Sequence, residues 1–265
     1  MSVGGQPLMQ AFIINLASAP ERWRFVQQIF SGSPLELVRV EAVDGSALAF
    51  PIRGYSERLY RFFHGRTTNP REVGCYLSHV RACELFLASG EEHGLICEDD
   101  LTLSEGFDEV IAGLLAVSGG WDIARLTGLR ENSGVRAIRL SPTHWIRVHL
   151  GRLKGAGAYL INRAAARSIV QKLLPMRLPY DHAMDREWCY GMRTVSVSPF
   201  PASQVESKFP TSIQRGSMRK LSWLRRCAST YPYQVVNEVS RWIFRAIQLL
   251  RLRAGLYRRS TRALQ

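Results

Sequence analysis

Near the N-terminus the chain reads Ala11-Phe12-Ile13-Ile14-Asn15-Leu16, an apolar run of the length and composition of a buried strand. A helix start follows, with Ser18 as the predicted N-cap and Pro20 in the first turn. Residues 35–43, rich in Val and Leu, predict a second strand, which Asp44-Gly45 ends with turn chemistry. This β-α-β order is typical of the start of a nucleotide-binding sheet.

Strands and helices continue to alternate down to residue 197. After an irregular segment at 51–69, one helix is predicted between the caps Asn69 and Gly90, and another at 163–174 behind the cap Asn162. Further strands are predicted at 94–97, 121–126, 146–150, 155–161 and 194–197, and further helices at 105–117 and after Asp181. The pattern predicts an α/β fold with a mixed, mostly parallel sheet flanked by helices. Such sheets bind ligands at the carboxyl ends of their strands.

Charge divides the chain into two parts. Of 265 residues, 46% are hydrophobic and 22% charged, a globular balance with a net charge of +13. Residues 201–265 hold 13 of the 35 Lys and Arg residues and only two acids, so this end carries +11. We predict a catalytic domain at 1–214 and a basic, helical extension at 215–265. Unless it is a solvated end, the extension meets phospholipid, anionic glycolipid or nucleic acid.

The extension contains an amphipathic pattern. Six apolar residues share one helical face, namely Val239, Trp242, Ile243, Ala246, Ile247 and Leu250. Arg241, Arg245 and Gln248 fall on the opposite side. Two alternatives follow: the helix lies on an anionic membrane surface, or it packs its apolar stripe onto the catalytic domain.

Cysteines and apolar runs indicate the compartment. The five cysteines are odd in number and form no CxxC pair, which favours free thiols in a reducing compartment over disulfides or a Cys-based zinc site. No apolar stretch reaches the roughly 18–20 residues that span a bilayer. No basic residue precedes the first apolar run, which argues against a signal peptide. We expect a cytoplasmic protein whose basic end contacts the inner face of the membrane.

The strongest chemical signal is the acidic triplet Glu98-Asp99-Asp100 at the end of an apolar strand. Buried acids need a partner, and a hard divalent cation such as Mn²⁺ or Mg²⁺ binds carboxylate oxygens. Side chains at i and i+2 of an extended segment share a side, so Glu98 and Asp100 are the candidate ligands. The alternative is a solvated acidic turn.

Two weaker motifs accompany the triplet. Ser78 and His79 follow the apolar stripe of the predicted helix before Gly90, where a lone His is more often a packing residue than a base. Asp181 and Asp185 lie at i, i+4, and either could serve as a general base unless Asp181 is the N-cap of its helix. P-loop, dinucleotide-binding and serine-elbow motifs are absent from the sequence, which disfavours an ATPase or a dehydrogenase.

Taken in order, the motifs resemble glycosyltransferase family 25, the lipooligosaccharide-type galactosyltransferases. The resemblance runs over roughly residues 11–205. It rests on Ile14-Asn15-Leu16 with Arg22, Val40 through Gly45, Glu72 through His79, Ile96 through Asp100 with Leu103-Ser104 and Phe107, Trp121-Asp122-Ile123, Gly157 through Leu160, and Pro179-Tyr180-Asp181.

The resemblance implies a GT-A-like fold, a UDP-sugar donor, Mn²⁺ or Mg²⁺ and an inverting single displacement. By this resemblance Glu98 and Asp100 hold the metal, and Asp181 faces the acceptor, with Asp185 as the fallback base. The residues assigned to the donor site are Asn15, Arg22, Asp44, Ser78, His79 and Asp99.

The resemblance also implies a reaction and its partners. We expect transfer of a hexose, with galactose favoured, to a saccharide or glycolipid acceptor in lipopolysaccharide or lipooligosaccharide synthesis. Two alternatives stay open: a basic nucleic-acid-binding protein or metal-dependent nuclease, and an inactive membrane-binding scaffold. The absence of a nucleic-acid-binding module disfavours the first.

Overall fold

The computed structural model describes residues 8–128, 134–205 and 219–255. Its strands are β1 (Met9–Asn15), β2 (Leu35–Glu41), β3 (His93–Glu98), β4 (Leu101–Leu103), β5 (Ile123–Arg125), β6 (Val135–Arg139), β7 (Trp145–Val148), β8 (Ala158–Asn162), β9 (Thr194–Ser198) and β10 (Ala202–Gln204). Its α-helices are α1 (Pro20–Ile29), α2 (Glu57–His64), α3 (Pro70–Ser89), α4 (Phe107–Ala116), α5 (Arg163–Lys172), α6 (Tyr180–Met184), α7 (Trp223–Ala228) and α8 (Thr230–Arg253).

Eight strands form one mixed sheet in the order β2-β1-β3-β8-β5-β9-β7-β6. β1 pairs in parallel with β2 and β3, and β5 pairs in parallel with β9. β8 and β7 run against their neighbours, so six of the eight strands share a direction while four of the seven pairings are antiparallel. The predicted α/β fold is confirmed, with more antiparallel pairing than strict β-α-β alternation would give.

Most predicted elements are present with shifted ends, but three details differ. The N-cap of α1 is Ala19, without a side-chain cap, so Ser18 is not the cap. The segment 51–69 is not wholly irregular, because it contains α2, which Ser56 caps and Gly65 ends in the left-handed conformation. Asn69, Gly90 and Asn162 cap their helices as predicted. Strands β4, β6 and β10 were not predicted; β4 and β10 have three residues each, and β6 is only partly buried.

The sheet is buried on both faces. Alternate residues of β1 enter opposite cores: Ala11 and Ile13 join one, Phe12 and Ile14 the other. The first core includes apolar residues of α1 and α4, and the second includes those of α3, α5 and α6. This burial explains why the first strand reads as a continuous apolar run.

The C-terminal helix α8 packs against β6, β7 and α2 rather than standing apart. The domain boundary predicted at 214/215 lies outside the described residues. Across the described ranges, none of the helices combines the length and the apolarity needed to cross a bilayer.

Candidate active site

A cleft opens at the carboxyl ends of β1, β2 and β3, where the topology predicts a ligand site. Its cavity volume is about 310 Å³. All of the predicted donor and metal residues except Asn15 lie around it, namely Arg22, Asp44, Ser78, His79, Glu98, Asp99 and Asp100. Ser18, Ser46, Arg71 and Cys75 also line it. Asn15 lies just behind the wall.

Helix α3 positions one wall of the cleft, the turn at Val43–Ser46. The Ser78 hydroxyl donates to the Gly74 carbonyl (2.7 Å) and accepts from the Val43 amide (2.8 Å). A Cβ at Gly74 would lie 2.6 Å from the Val43 carbonyl oxygen, so only glycine permits this approach. Both hydrogen bonds of Ser78 are thus internal, which makes it a positioning residue for the wall.

Asp44 lies at the exposed rim of the cleft. Its carboxylate accepts from the hydroxyl (2.6 Å) and the amide (2.8 Å) of Ser46. These two hydrogen bonds lower the pKa of Asp44, so the residue is ionised at neutral pH.

Asp99 is held by the elements that follow β1. It accepts from Asn15 Nδ2 (2.6 Å) and forms an ion pair with Arg22 Nη1 (2.8 Å). The Asn15 side-chain oxygen in turn accepts from Arg39 of β2 (2.6 Å). Parallel pairing of β1 with β3 sets Ile14 beside Glu98 and so brings Asn15 next to the triplet. Asn15 therefore orients Asp99 rather than facing the cleft.

Glu98 and Asp100 remain available on the cleft side of the triplet. Glu98 accepts from Gln204 Nε2 (3.0 Å) and keeps a quarter of its side chain exposed. Asp100 is buried, and among the described residues its Oδ1 has no hydrogen-bond partner. Burial, followed by the charges of Glu98 and Asp99, raises the pKa of Asp100 to about 7.

This arrangement fits a divalent cation. An orphaned buried carboxylate oxygen is costly unless a positive charge meets it. The cleft also has more acids than bases, with Asp44, the triplet, Arg22 and Arg71 around it. A diphosphate would be repelled from such a cleft without a cation to offset the acids. Glu98 and Asp100 are the residues that would hold it.

His79 connects the triplet to the start of α6. Its Nε2 lies 3.4 Å from Glu98 Oε1 and its Nδ1 lies 3.2 Å from the Tyr159 hydroxyl. Its ring stacks on Tyr180 with centroids 4.2 Å apart. The His79 ring is packed, as the alternative of a packing residue predicts, but its Nε2 atom still reaches the cleft.

Cys75, His79 and Glu98 bring one ligand atom each within 4.8 Å of one another. This donor set would suit a softer ion than Mn²⁺ or Mg²⁺. Burial, and then the charge of Glu98, raises the pKa of Cys75 far above its usual value, so the thiol keeps its proton. The carboxylates of Glu98 and Asp100, rather than this softer set, are the donors that Mn²⁺ or Mg²⁺ prefers. All five cysteines are free, as predicted.

The two predicted base candidates lie in different environments. Asp181 follows Tyr180, and its Oδ1 accepts from the His182 amide (2.8 Å) within the first turn of α6. The N-cap is Pro179, so the capping alternative for Asp181 is wrong. The Asp181 side chain lines a second pocket, together with His64, His182 and Arg186, rather than the cleft that contains the triplet.

Asp185, by contrast, has both oxygens engaged. Asp185 Oδ1 contacts Arg245 Nη2 (2.7 Å) and the Leu153 amide (3.1 Å), and Oδ2 contacts Arg241 Nη2 (3.1 Å). Asp185 is buried, and these arginines hold its pKa below the usual value although burial alone would raise it. A carboxylate so occupied and so acidic does not fit the role of a base. The structure therefore argues against Asp185 as the fallback.

Comparison with known proteins identifies the family of the chain. Residues 9–184 match the family described as "Glycosyltransferase family 25 (LPS biosynthesis protein)". The chain belongs to glycosyltransferase family 25. The matched range, residues 9–184, includes the triplet, Ser78-His79 and Asp181.

Relatives within family 25 differ in what their names say of them. The chain is 25% identical over 219 residues to a rat protein named "Probable inactive glycosyltransferase 25 family member 3", covering 73% of this chain and 38% of the relative. It is also 25% identical over 219 residues to a "Glycosyltransferase 25 family member" of Anopheles gambiae, covering 75% and 36%. Zebrafish "Procollagen galactosyltransferase 1" is 29% identical over 115 residues, covering 40% and 18%. The chain thus spans under two fifths of each relative's length.

Four residues of the site were not predicted from the sequence. Tyr159 and Tyr180 stood inside recognised motifs, but nothing in their spacing shows that both contact His79. Arg71 sits in the first turn of α3, where a basic residue gives no signal of a cleft. Gln204 reaches Glu98 from β10, 106 residues away along the chain.

Proposed function

We propose that this chain is a metal-dependent, inverting glycosyltransferase. In this proposal it moves a hexose, with galactose favoured, from a UDP-sugar to a saccharide or glycolipid acceptor in lipopolysaccharide or lipooligosaccharide synthesis. A GT-A-like role of the sheet, with the nucleotide at the ends of β1 to β3, belongs to the same proposal. Membership of family 25 and the galactosyltransferase named among the relatives support it.

The observation that carries the proposal is the buried Oδ1 of Asp100, which has no hydrogen-bond partner within the described ranges and lies beside Glu98 in an acid-rich cleft. When bound, a divalent cation would neutralise the donor diphosphate and stabilise the departing UDP. Arg22 and Arg71 add positive charge to the same wall. Asn15 and Arg22 keep Asp99 turned to one side, which leaves the other two carboxylates for the cation.

In this proposal Asp181 is the general base for the acceptor hydroxyl. Its carboxylate takes the proton from the acceptor hydroxyl while that oxygen attacks the anomeric carbon of the donor sugar. The bond to UDP breaks on the opposite side, so the configuration inverts in a single displacement. Asp181 follows Tyr180, whose ring packs on His79, and this contact supports a place for Asp181 near the transferred sugar.

Release of UDP tests the proposal. Purified protein is incubated with UDP-galactose or UDP-glucose and a saccharide acceptor, with Mn²⁺ or with chelator. Asp100→Asn should lower turnover by about 100-fold or more, because one electrostatic contact to the leaving group is lost. Glu105→Gln, which changes an exposed acid outside the cleft, is the matched control and should turn over normally.

Three outcomes would contradict the proposal. Full activity in chelator would remove the metal from the reaction. Cleavage of single-stranded nucleic acid without UDP release from any UDP-sugar would favour the nuclease alternative. Calorimetric binding of UDP with no turnover would indicate an inactive protein, as the name of the rat relative says of that relative.

A further inference from the structure

Helix α8 docks on the body of the protein through its polar face. Arg241, Arg245 and Gln248 are buried, with relative exposures of 1%, 2% and 4%. Arg245 forms ion pairs with Asp185 (2.7 Å) and Glu187 (2.5 Å). It also donates to the carbonyls of His149 and Gly151. The inward face of α8 is therefore held by buried charge pairing, and Leu252 near its C-terminal end joins the apolar core.

The opposite face of α8 is apolar and faces solvent. Seven side chains on it are between 45% and 67% exposed, namely Val235, Val236, Val239, Trp242, Ile243, Ile247 and Leu250. An ordinary surface helix buries its apolar stripe and exposes its charges. Here the arrangement is reversed, so the alternative in which the stripe packs on the catalytic domain is wrong. A contiguous exposed apolar face of this kind marks an interaction surface.

The charges around this face decide between possible partners. Arg225, Arg251 and Arg253 are exposed on α7 and α8. The only acid at 219–255, Glu238, is paired with Arg152 and Arg241. A second copy of the chain would bring the same positive charges against these, whereas an anionic bilayer offers both an apolar interior and negative headgroups.

We propose that the exposed face of α8 docks on an anionic phospholipid surface, with Trp242 and Ile243 entering the headgroup boundary. The flanking arginines supply attraction that acts within a Debye length of the lipid. Trp223 of α7, which is 64% exposed, adds a second aromatic side chain suited to that boundary. If the proposed transferase function holds, docking holds the protein on the surface where a lipid-linked acceptor is presented.

Vesicle flotation with the full chain tests this inference. Vesicles of phosphatidylcholine alone are compared with vesicles that also contain phosphatidylglycerol, at low and high salt. The protein should float only with the phosphatidylglycerol vesicles, and less at high salt. The double variant Trp242→Gln, Ile243→Gln should bind at least about tenfold more weakly. Arg251→Gln should weaken binding about fivefold.

Leu85→Gln, which replaces an exposed apolar residue on α3, is the matched control and should float like the natural chain. UDP binding with Mn²⁺, measured by calorimetry, should be unchanged in every variant, so that failure to float and failure of the donor site are distinguishable. Failure of the full chain to float at low salt would overturn the inference. So would a double variant that floats unchanged, or a dimer that the double variant converts to monomer.

Discussion

Arg245 provides the sharpest test of how the C-terminal helix is held. All five of its N–H donors are used: Nε binds Glu187, Nη1 binds two carbonyls, and Nη2 binds both Asp185 and Glu187. Arg245→Met keeps the length of the side chain but leaves two buried carboxylates with one charge fewer to offset them. Removing one partner of a buried ion pair costs about 3–5 kcal/mol, which for a domain of this size lowers Tm by roughly 10 °C.

The pH dependence of this loss gives a second check. In the natural protein burial would raise the pKa of Asp185, but Arg245, Arg125 and Arg241 hold it below its usual value. The stabilisation that this ionised carboxylate provides is present above the pKa of Asp185 in the unfolded chain. It is lost as the pH falls through the pKa of Asp185 in the folded protein. Without Arg245, burial dominates and the pKa of Asp185 rises. As the pH falls, protonation of Asp185 removes the unpaired buried charge from the variant. The difference in unfolding free energy between the variant and the natural protein should therefore narrow from pH 7 to about pH 5.

Urea unfolding followed by tryptophan fluorescence and circular dichroism measures both effects. Arg251→Met, on the same helix but exposed, is the matched control and should stay within about 0.5 kcal/mol of the natural protein. A loss of less than about 1 kcal/mol for Arg245→Met, or a deficit independent of pH, would refute the buried-pair argument.

Three further substitutions test the cleft. Asp181→Asn should lower turnover by about 10²–10⁴-fold with little change in Tm, and turnover at the natural rate would remove Asp181 as the base. In chelator, Asp100→Asn should raise the free energy of unfolding by about 1 kcal/mol at pH 8 but not at pH 5. Burial and the charge of Glu98 raise the pKa of Asp100 to about 7, so the buried carboxylate is charged at pH 8 and largely protonated at pH 5. Equal Tm values for the variant and the natural protein at pH 8 would contradict this. Gly74→Ala should cost about 1–3 kcal/mol and weaken UDP binding, because its Cβ meets the Val43 carbonyl; Gly113→Ala, with ordinary contacts at 3.5 Å, is the control.

The existence and type of most elements could be predicted because their signals are local. The buried first strand reads as a continuous apolar run, and Asn69, Gly90 and Asn162 act through hydrogen bonds or backbone conformations within a few residues. Ser18 failed as a cap although its spacing was right, because the chain enters α1 one residue later. Its side chain borders the cleft instead.

Most residues of the site were predictable from the sequence, but their roles were not. The acidic triplet and Ser78-His79 could be identified as candidates from their residue types and spacing. They line one cleft at the edge of the sheet where β1 pairs in parallel with β2 and with β3. The different environments of Asp181 and Asp185 could not be predicted, because the i, i+4 spacing is the same whether or not arginines pair with one of the two residues. Those arginines come from α8, about 60 residues further along the chain.

Helix α8 separates what the sequence by itself determined from what the tertiary structure decided. The 3.6-residue period determined that Arg241, Arg245 and Gln248 share one face and that the apolar residues share the other. Which face meets the body depends on Asp185 and Glu187, which lie about 60 residues earlier and whose burial demands cations. Only the packed chain brings these charges together, and their pairing turns the apolar stripe outward.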